Sequence, residues 1–519
     1  MDGGRGPSLL DYARGGAVSG ILMQNREVEL KFSCAPAAMS LIEAHSALSA
    51  ALACAQRFLV TTYFDTPDHA LAKVGFVCRI RSEGDTRVQT VKAVAEGPFA
   101  RHEWESPIAG SRPDLSLVPR SRINRILRKD DLAARLAPVF TIEIARRCWN
   151  IVHGTSQIEL SLDVGAVKDK LQSLPLCEVE LELKQGELSD VFDLARTLCA
   201  EIPLHLDLRS KATQAFGLIE GRTPLESAPP VPALSRRMFF VDGFRALAYA
   251  CLQPLATNAP ILRSTQDAEA LHQTRTAVRR LRALLRIFAR QMEDDEFTRL
   301  QGEFKWLSKR LGSARDLDVA RLSWAAHQRT ADLAHALDDR RKAAYARVLA
   351  TLDMPRARLM LIDFCTWLAF GHWTTQSPRK RTRGAFYDIC MRESLRWDKK
   401  LRKTGAGLDD LDPDARHRLR IRAKSFTYFC ELTGELAEQD RPAQRAYLKS
   451  LKRLQSTLGE INDAEVARKF LAAMESTPAL ASAVSHAAKR NRRNEAKLLR
   501  KMGAAYKRFA TAPRPWAAR

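Results

Sequence analysis

Glu27-Val28-Glu29-Leu30-Lys31 decides how the first half of this chain is read. In a β-strand, residues i, i+2 and i+4 share a face. Glu27, Glu29 and Lys31 then line one wall, while Val28, Leu30 and Phe32 face a core. Two carboxylates on neighbouring same-face positions repel unless a cation lies between them. A hard divalent ion such as Mg²⁺, which takes oxygen ligands, suits that role. On its own the pentapeptide reads more simply as a solvated strand face, so the surrounding sequence has to decide.

Working outward, residues 36–56 read as helical, ending near Arg57. Residues 58–65 alternate and are β-rich, with a turn at Thr66-Pro67-Asp68. Val77-Cys78-Arg79-Ile80-Arg81 reverses the sign of the opening stretch, with Arg79 and Arg81 on one face. Residues 87–92, ending in Lys92, form its hairpin partner. Residues 101–105 align Arg101, Glu103 and Glu105, and residues 140–149 carry Glu143 and Arg146. Residues 157–164 align Glu159, Ser161 and Asp163, and residues 177–183 align Glu178, Glu180 and Glu182. That makes about eight strands, most of them carrying one sign of charge on one face. An ordinary antiparallel sheet could leave these charges in water. Closed into a barrel, the same strands set acids opposite bases around a polar lumen. Such a lumen suits a phosphate chain with bound metal, since Arg forks grip phosphate oxygens and carboxylates hold the ion.

The chain has 519 residues, enough for two to four domains, and its 45% hydrophobic content is that of a globular protein. No run of about 18 apolar residues predicts a membrane span. The start lacks the basic and apolar regions of a secretion signal, and residues 1–22 read as a disordered, Gly-rich leader. The 10 cysteines show no metal spacing and fit small buried thiols in a reducing cytoplasm. The net charge of +23 is unevenly placed. Residues 221–519 hold 57 Lys and Arg against 32 Asp and Glu, while residues 1–220 hold 26 against 28. A basic second half points to a polyanionic partner.

The motifs of the first half resemble the CYTH domain of the triphosphate tunnel metalloenzymes over about residues 25–220. The resemblance rests on Glu27, Glu29 and Lys31, on Tyr63-Phe64-Asp65-Thr66, and on Gly75 followed by Arg79-Ile80-Arg81. It also rests on Lys92, the Glu-rich strand at 178–182, and Ser210-Lys211. It implies an eight-stranded antiparallel β-tunnel, an α+β multidomain chain, and metal-dependent hydrolysis of a triphosphate, with inorganic tripolyphosphate giving pyrophosphate and phosphate. By position it implies metal ligands at Glu27, Glu29, Asp163, Glu178 and Glu180, with Glu182 on the same face. It implies substrate binding by Lys31, Arg79, Arg81, Lys92, Arg101, Arg146 and Lys211, and chemistry at Glu27, Glu29, Lys31, Lys92 and Arg146. The implied cofactor is Mg²⁺, with Mn²⁺ as the alternative. Cys78 replaces a usual Leu, a packing change, and Glu143 stands on a strand that is often more basic, which would alter substrate grip. The histidines at 45, 69, 102, 153 and 205 read as surface or packing residues.

Residues 221–234 form a Pro-rich linker, and beyond it the pattern is helical throughout. His272, Arg275, Arg279, Arg282 and Arg286 form one helical stripe, with Arg280 beside it and no acid between 270 and 290. A solvated face would intersperse acids for i,i+4 pairs. His417, Arg420 and Lys424 repeat the pattern about 145 residues later, and Leu311-Gly312 with Asp316 is echoed by Leu458-Gly459 with Asp463. Two related helical bundles, about 235–375 and 376–512, follow from this duplication. The pattern resembles the CHAD domain, an all-α module, over about 235–512, although Thr427 replaces a frequent Arg. The resemblance implies binding of inorganic polyphosphate by His272, Arg275, Arg279, Arg280, Arg282, His417, Arg420 and Lys424, and association with polyphosphate granules. Asp316 and Asp463 read as structural. The alternatives are a polyphosphate-binding protein with slight or no turnover, a thiamine triphosphatase and an adenylyl cyclase. A nucleic-acid partner explains the basic half but not the acidic tunnel.

Overall fold

The computed structural model describes residues 26–94, 99–119, 127, 132–168, 173–219, 225, 232, 234–292, 294–375, 385–408, 411–436, 441–474 and 480–516. The expected leader at 1–22 and almost all of the linker at 221–234 lie outside the described residues. The rest forms two compact units, divided after Leu225, with Asp353–Phe370 belonging to the first.

The first unit is built on strands β1 (Arg26–Ser33), β2 (Leu52–Ala53), β3 (Arg57–Asp65), β4 (Phe76–Glu83), β5 (Thr86–Val94), β6 (Ala100–Pro107), β7 (Ala137–His153), β8 (Ser156–Lys168), β9 (Ser173–Gln185) and β10 (His205–Leu206). The order β1-β6-β5-β4-β3-β7-β8-β9 returns to β1, so eight antiparallel strands close into a barrel. The opening stretch is where it closes. Glu27 and Val28 pair with β6, and Glu29 to Ser33 pair with β9. The region expected to be one helix over 36–56 instead breaks into a helix at Met39–Glu43, two single 3₁₀ turns and β2. His45 interrupts it: its backbone is extended and its ring caps the next turn by accepting from the Ala47 N–H at 3.1 Å.

Alternation sorts the side chains as the pattern requires. Phe64, Cys78, Ile80, Val91 and Trp104 face outward into one core. Cys78 fills that core as a small apolar group, which is the packing change the sequence implied. Leu59, Tyr63, Ile142 and Ile144 point inward and meet the helix α1 (Lys211–Ile219) through Ala212 and Ala215. Tyr63 stacks on Phe140 at 4.6 Å, and Phe140 meets Phe216 edge-on at 5.3 Å. This packing fixes the start of α1 against the lumen, which carries Lys211 inward. A second helix of this unit, Leu188–Glu201, lies on the barrel and packs against Pro355–Phe370, with Arg358 Nε donating to the Cys199 carbonyl at 2.9 Å.

The second unit is helical. Its longer helices are α2 (Phe240–Thr265), α3 (Ala268–Ile287), α4 (Asp295–Arg310), α5 (Gly312–Ala325), α6 (Asp338–Asp353), α7 (Ala385–Gly405), α8 (Pro413–Leu432), α9 (Arg441–Ala472) and α10 (Ala481–Ala510). Asp267 and Asp412 cap α3 and α8 through their side chains, so both signature helices start the same way. The repeat is imperfect. The chain breaks at Leu311 between α4 and α5, whereas α9 runs unbroken through Leu458-Gly459. The expected first copy, 235–375, also gives up Asp353–Phe370 to the barrel unit. No described helix is long and apolar enough to cross a membrane.

Gly165 on β8 is a close-approach position: a Cβ there would lie 1.9 Å from the Glu143 carbonyl oxygen. Gly165→Ala should therefore destabilise the barrel by about 1–3 kcal/mol. Thermal unfolding compared with Gly302→Ala, whose added Cβ meets nothing within 4 Å, measures the difference.

Candidate active site in the barrel

Strand register assembles the inner wall. β1 to β9 pairing sets Lys31 across from Glu180 and Glu29 across from Glu182. β8 to β9 pairing sets Asp163 across from Glu178 and Glu159 across from Glu182, and β7 brings Arg146 to Asp163. Lys92 faces Glu103, and Arg79 lies between Tyr63 and Thr90. Together they enclose a cavity of about 300 Å³.

One side of this cavity is densely matched. Arg146 donates through Nε and Nη2 to the two oxygens of Asp163, each at 2.6 Å, and Nη2 also reaches Glu180 at 2.9 Å. Lys211 Nζ donates to Glu180 at 2.6 Å and lies 3.0 Å from Asp163 and 3.2 Å from Glu178. Gln214 donates to Glu178 at 2.5 Å. Burial alone would raise the Glu180 pKa, but Lys211 and Arg146 hold it well below the usual carboxylate range. Across the cavity Lys92 Nζ meets Glu27 at 2.5 Å and Glu103 at 3.2 Å, and Arg81 reaches Glu105 at 3.5 Å.

Two groups make no hydrogen bond through their charged ends. Glu29 makes no side-chain ion pair or hydrogen bond among the described residues. Burial first, and then the charges of Glu27 and Glu180, push its pKa up. Lys31 is only 6% exposed, and its ammonium has no hydrogen-bond partner, since Glu178 stands 3.6 Å away. The Nε atoms of Arg57 and Arg79 are likewise buried without partners. The wall therefore holds spare donors beside a carboxylate that has no direct partner among the described residues.

All the expected barrel residues except Asp163 and Glu178 line the cavity. Those two sit just behind it, bound to Arg146 and Lys211. The five expected metal ligands are not one cluster: Glu27 is held by Lys92, Glu29 stands alone, and the other three surround Lys211. Among the described residues no group of three His, Cys, Asp or Glu is arranged as a metal site. The donor chemistry nevertheless fits a hard divalent cation, because all the candidates are carboxylates and Glu29 feels Lys92 and Arg101 only at a distance, with no ion pair among the described residues. Glu143 does not bear on substrate grip. It lies on the outer face, paired with Lys168 at 2.5 Å. Sequence reasoning missed Arg57 and Lys184, which also line the cavity. Both extend an alternating face by one step, Arg57 before Leu59 and Lys184 after Glu182. None of the five histidines lines it.

In the helical unit α3 and α8 pack together. Arg275 lies 3.8 Å from Asp316, and His417 Nδ1 is 3.2 Å from the Asn462 side-chain oxygen. Arg280 and Lys424 both sit over the Tyr428 ring, at 5.3 and 4.9 Å. Arg282 turns to Ser308 at 2.9 Å. Burial and the neighbouring Arg279 push the Arg420 pKa down to about 10, and burial with Arg315 pushes His272 down to about 4. His272 is thus neutral near pH 7. Arg315, unremarked in the sequence reading, belongs to this cluster.

Glu29→Gln removes an unmatched charge. A carboxyl whose folded pKa is raised loses stabilisation as pH rises through that value. The variant should therefore unfold on the order of 2–4 °C higher than the parent at pH 8 without divalent metal, the gap closing toward pH 4. Melting curves across pH test this.

Residues 25–216 match the model of the CYTH domain, and residues 246–472 match that of the CHAD domain. The chain is 29% identical over 195 residues to the inorganic triphosphatase of Haemophilus influenzae, covering 37% of this chain and 54% of the relative. It thus spans about half the length of that relative. The crystal structure of the CHAD domain from Ricinus communis is similar at 25% identity and a TM-score of 0.47, covering 54% of this chain and 96% of that one. A putative adenylyl cyclase from Hippeastrum, described as having a dominant triphosphatase activity, is similar at 23% identity and a TM-score of 0.29, covering 38% and 96%. The chain is a CYTH domain followed by a CHAD domain.

Proposed function

We propose that the barrel hydrolyses triphosphates with a divalent metal, that inorganic tripolyphosphate is its substrate, and that the basic face of the helical unit binds inorganic polyphosphate. One observation carries the first reading: the buried Lys31 ammonium borders the cavity with no hydrogen-bond acceptor among the described residues, Glu178 being 3.6 Å away. A triphosphate chain supplies the missing oxygens, and Arg79, Arg81, Lys92, Arg101, Arg146 and Lys211 stand around the same space to hold it. The likeness to an inorganic triphosphatase supports the substrate class.

Glu27, Glu29 and Glu180 would hold Mg²⁺, with Mn²⁺ as the alternative, and Asp163 and Glu178 would support them from behind. Such an ion supplies Lewis-acid polarisation of phosphoryl oxygens. The chain's own contribution is positional. Lys31 and Arg79 fix the phosphate oxygens, and the Arg146 and Lys211 charges neutralise what develops on the leaving group. The inner-wall carboxylates orient the attacking water. In the helical unit Arg275, Arg279, Arg280, Arg420 and Lys424 present cations to a chain of phosphates, with His272, Arg282 and His417 at the margins. A place at polyphosphate granules in the cytoplasm follows from that binding.

Phosphate release from tripolyphosphate, ATP, thiamine triphosphate and long polyphosphate, each with Mg²⁺ or Mn²⁺, tests the reading. Tripolyphosphate should be turned over fastest. Glu29→Gln should lower that rate by about a hundredfold or more while polyphosphate retention is kept. Undiminished hydrolysis by the variant would remove the metal role from Glu29. Combined Arg275→Ala, Arg279→Ala, Arg420→Ala and Lys424→Ala should weaken retention of long polyphosphate and flatten its salt dependence, with tripolyphosphate turnover preserved. Retention equal to the parent's at every salt concentration would contradict this face as the binding surface.

A further inference from the structure

The helical unit has a second basic recess whose cations lie mostly outside the repeated signature. It is a space of about 240 Å³ lined by Arg286 of α3, by Arg396, Trp397 and Lys400 of α7, and by Arg418 and Arg422 of α8. On α8 the signature cations are His417, Arg420 and Lys424. Arg418 and Arg422 occupy the adjoining face, since each residue turns the helix by about 100°. At the repeat offset their counterparts in the first copy are Gln273 and Ala277, both buried. The duplicated pattern therefore does not account for this recess.

Its charges are poorly matched. Arg396 pairs with Glu393 at 2.9 Å, but among the described residues Arg286 and Arg422 meet only the hydroxyls of Ser425 and Thr404, at 3.0 and 2.7 Å. Among the described residues Arg418 and Lys400 have no carboxylate partner. Burial, and then the charges of Arg422, Arg396, Arg290 and Arg286, depress the Lys400 pKa. A second, independent feature lies in the same wall. Trp397 is 4% exposed, its ring stacks on Phe426, and its indole Nε1 is buried without a hydrogen-bond partner among the described residues. A buried donor of this kind calls for an acceptor. Guanidinium forks, an ammonium and one directional N–H together describe a tetrahedral oxyanion carrying more than one charge.

We propose that this recess binds a phosphoryl group, with Arg418, Arg422, Arg286 and Lys400 matching its charge and the Trp397 indole N–H fixing its orientation. The phosphoryl group is either free orthophosphate or the end of a longer condensed phosphate. The assignment does not rest on the barrel's activity, and of the first-copy stripe it uses Arg286 alone.

The test uses the full chain labelled with 5-fluorotryptophan, the Trp397 fluorine resonance being identified by its loss in Trp397→Phe. Orthophosphate, added at constant ionic strength against chloride, should move that resonance saturably. Movement by long polyphosphate without movement by orthophosphate assigns the site to a chain end. Arg418→Ala with Arg422→Ala should weaken the response at least about tenfold. The other tryptophan resonances and tripolyphosphate hydrolysis should be unchanged. Arg418→Glu alone, at an exposed position, gives the same direction should the double variant fold poorly. A Trp397 resonance unmoved by either phosphate overturns the proposal. So does a response that survives in the Arg418 and Arg422 variants but is lost when Arg275, Arg279, Arg420 and Lys424 are replaced.

Discussion

Asp163 is completely buried on the inner side of the barrel, and an isolated charge there would be untenable. Much of the lumen follows from that constraint. Arg146 clasps both Asp163 oxygens, and Lys211 adds a third contact. Those two cations, brought inward, need further anions, and Glu180 and Glu178 supply them. Glu178 in turn is held by Gln214, which leaves it too far from Lys31 for a hydrogen bond. Compensation thus runs from strand to strand and stops short at β1. The opening stretch inherits what is left over: a lysine 3.6 Å from its nearest carboxylate without a hydrogen bond, and a glutamate with no ion pair among the described residues.

The two units handle positive charge by different means. In the barrel almost every cation has a carboxylate beside it, and the sequence is correspondingly near neutral. In the helical unit the acids were largely left out of the signature helices, and the guanidinium groups crowd one another instead. Their depressed pKa values record both burial and that crowding. Asp316 and Asp463 temper the repulsion within the signature cluster, and burial raises the Asp316 carboxyl in return. Matched charges favour a defined pose of a short substrate. Unmatched charges favour any long anion that can replace the missing acids.

The barrel was legible because period-2 alternation is a strict code: a residue is inside or outside by parity, and the signs of the inner residues then predict who meets whom. Reading parity strictly would also have found Arg57 and Lys184, and would have set Glu143 outside. What the pattern could not show was pairing strength. Nothing in the spacing of Asp163 or Glu178 says that arginine and lysine occupy them while Glu29 stays unpaired. That depends on how β7, β8 and β9 align and on α1 entering the lumen. In the second half the duplicated signature was plain, but its recurrence implied more symmetry than exists. The Leu-Gly pair ends a helix at 311 and is absorbed into α9 at 458, because a helix boundary depends on the neighbouring packing as well as on two residues. Trp397 gave no signal at all, since an indole whose N–H lacks a partner looks in sequence like any core aromatic.

The helix Pro355–Phe370 lies deep within the stretch matched by the CHAD model, yet it packs with the barrel unit. Arg358 hangs from the carbonyls of Cys199 and Ala200, Arg196 meets Asp363 at 3.0 Å, and Phe370 meets Phe192 edge-on at 6.1 Å. The two domains are consecutive as sequence but interleaved as matter. Severing the chain at the Pro-rich boundary would not yield two intact pieces. The first would carry an uncovered apolar helix face with two stranded carbonyls, and the second a helix without its seat. A segment of the second half of the sequence thus serves as a structural part of the barrel unit.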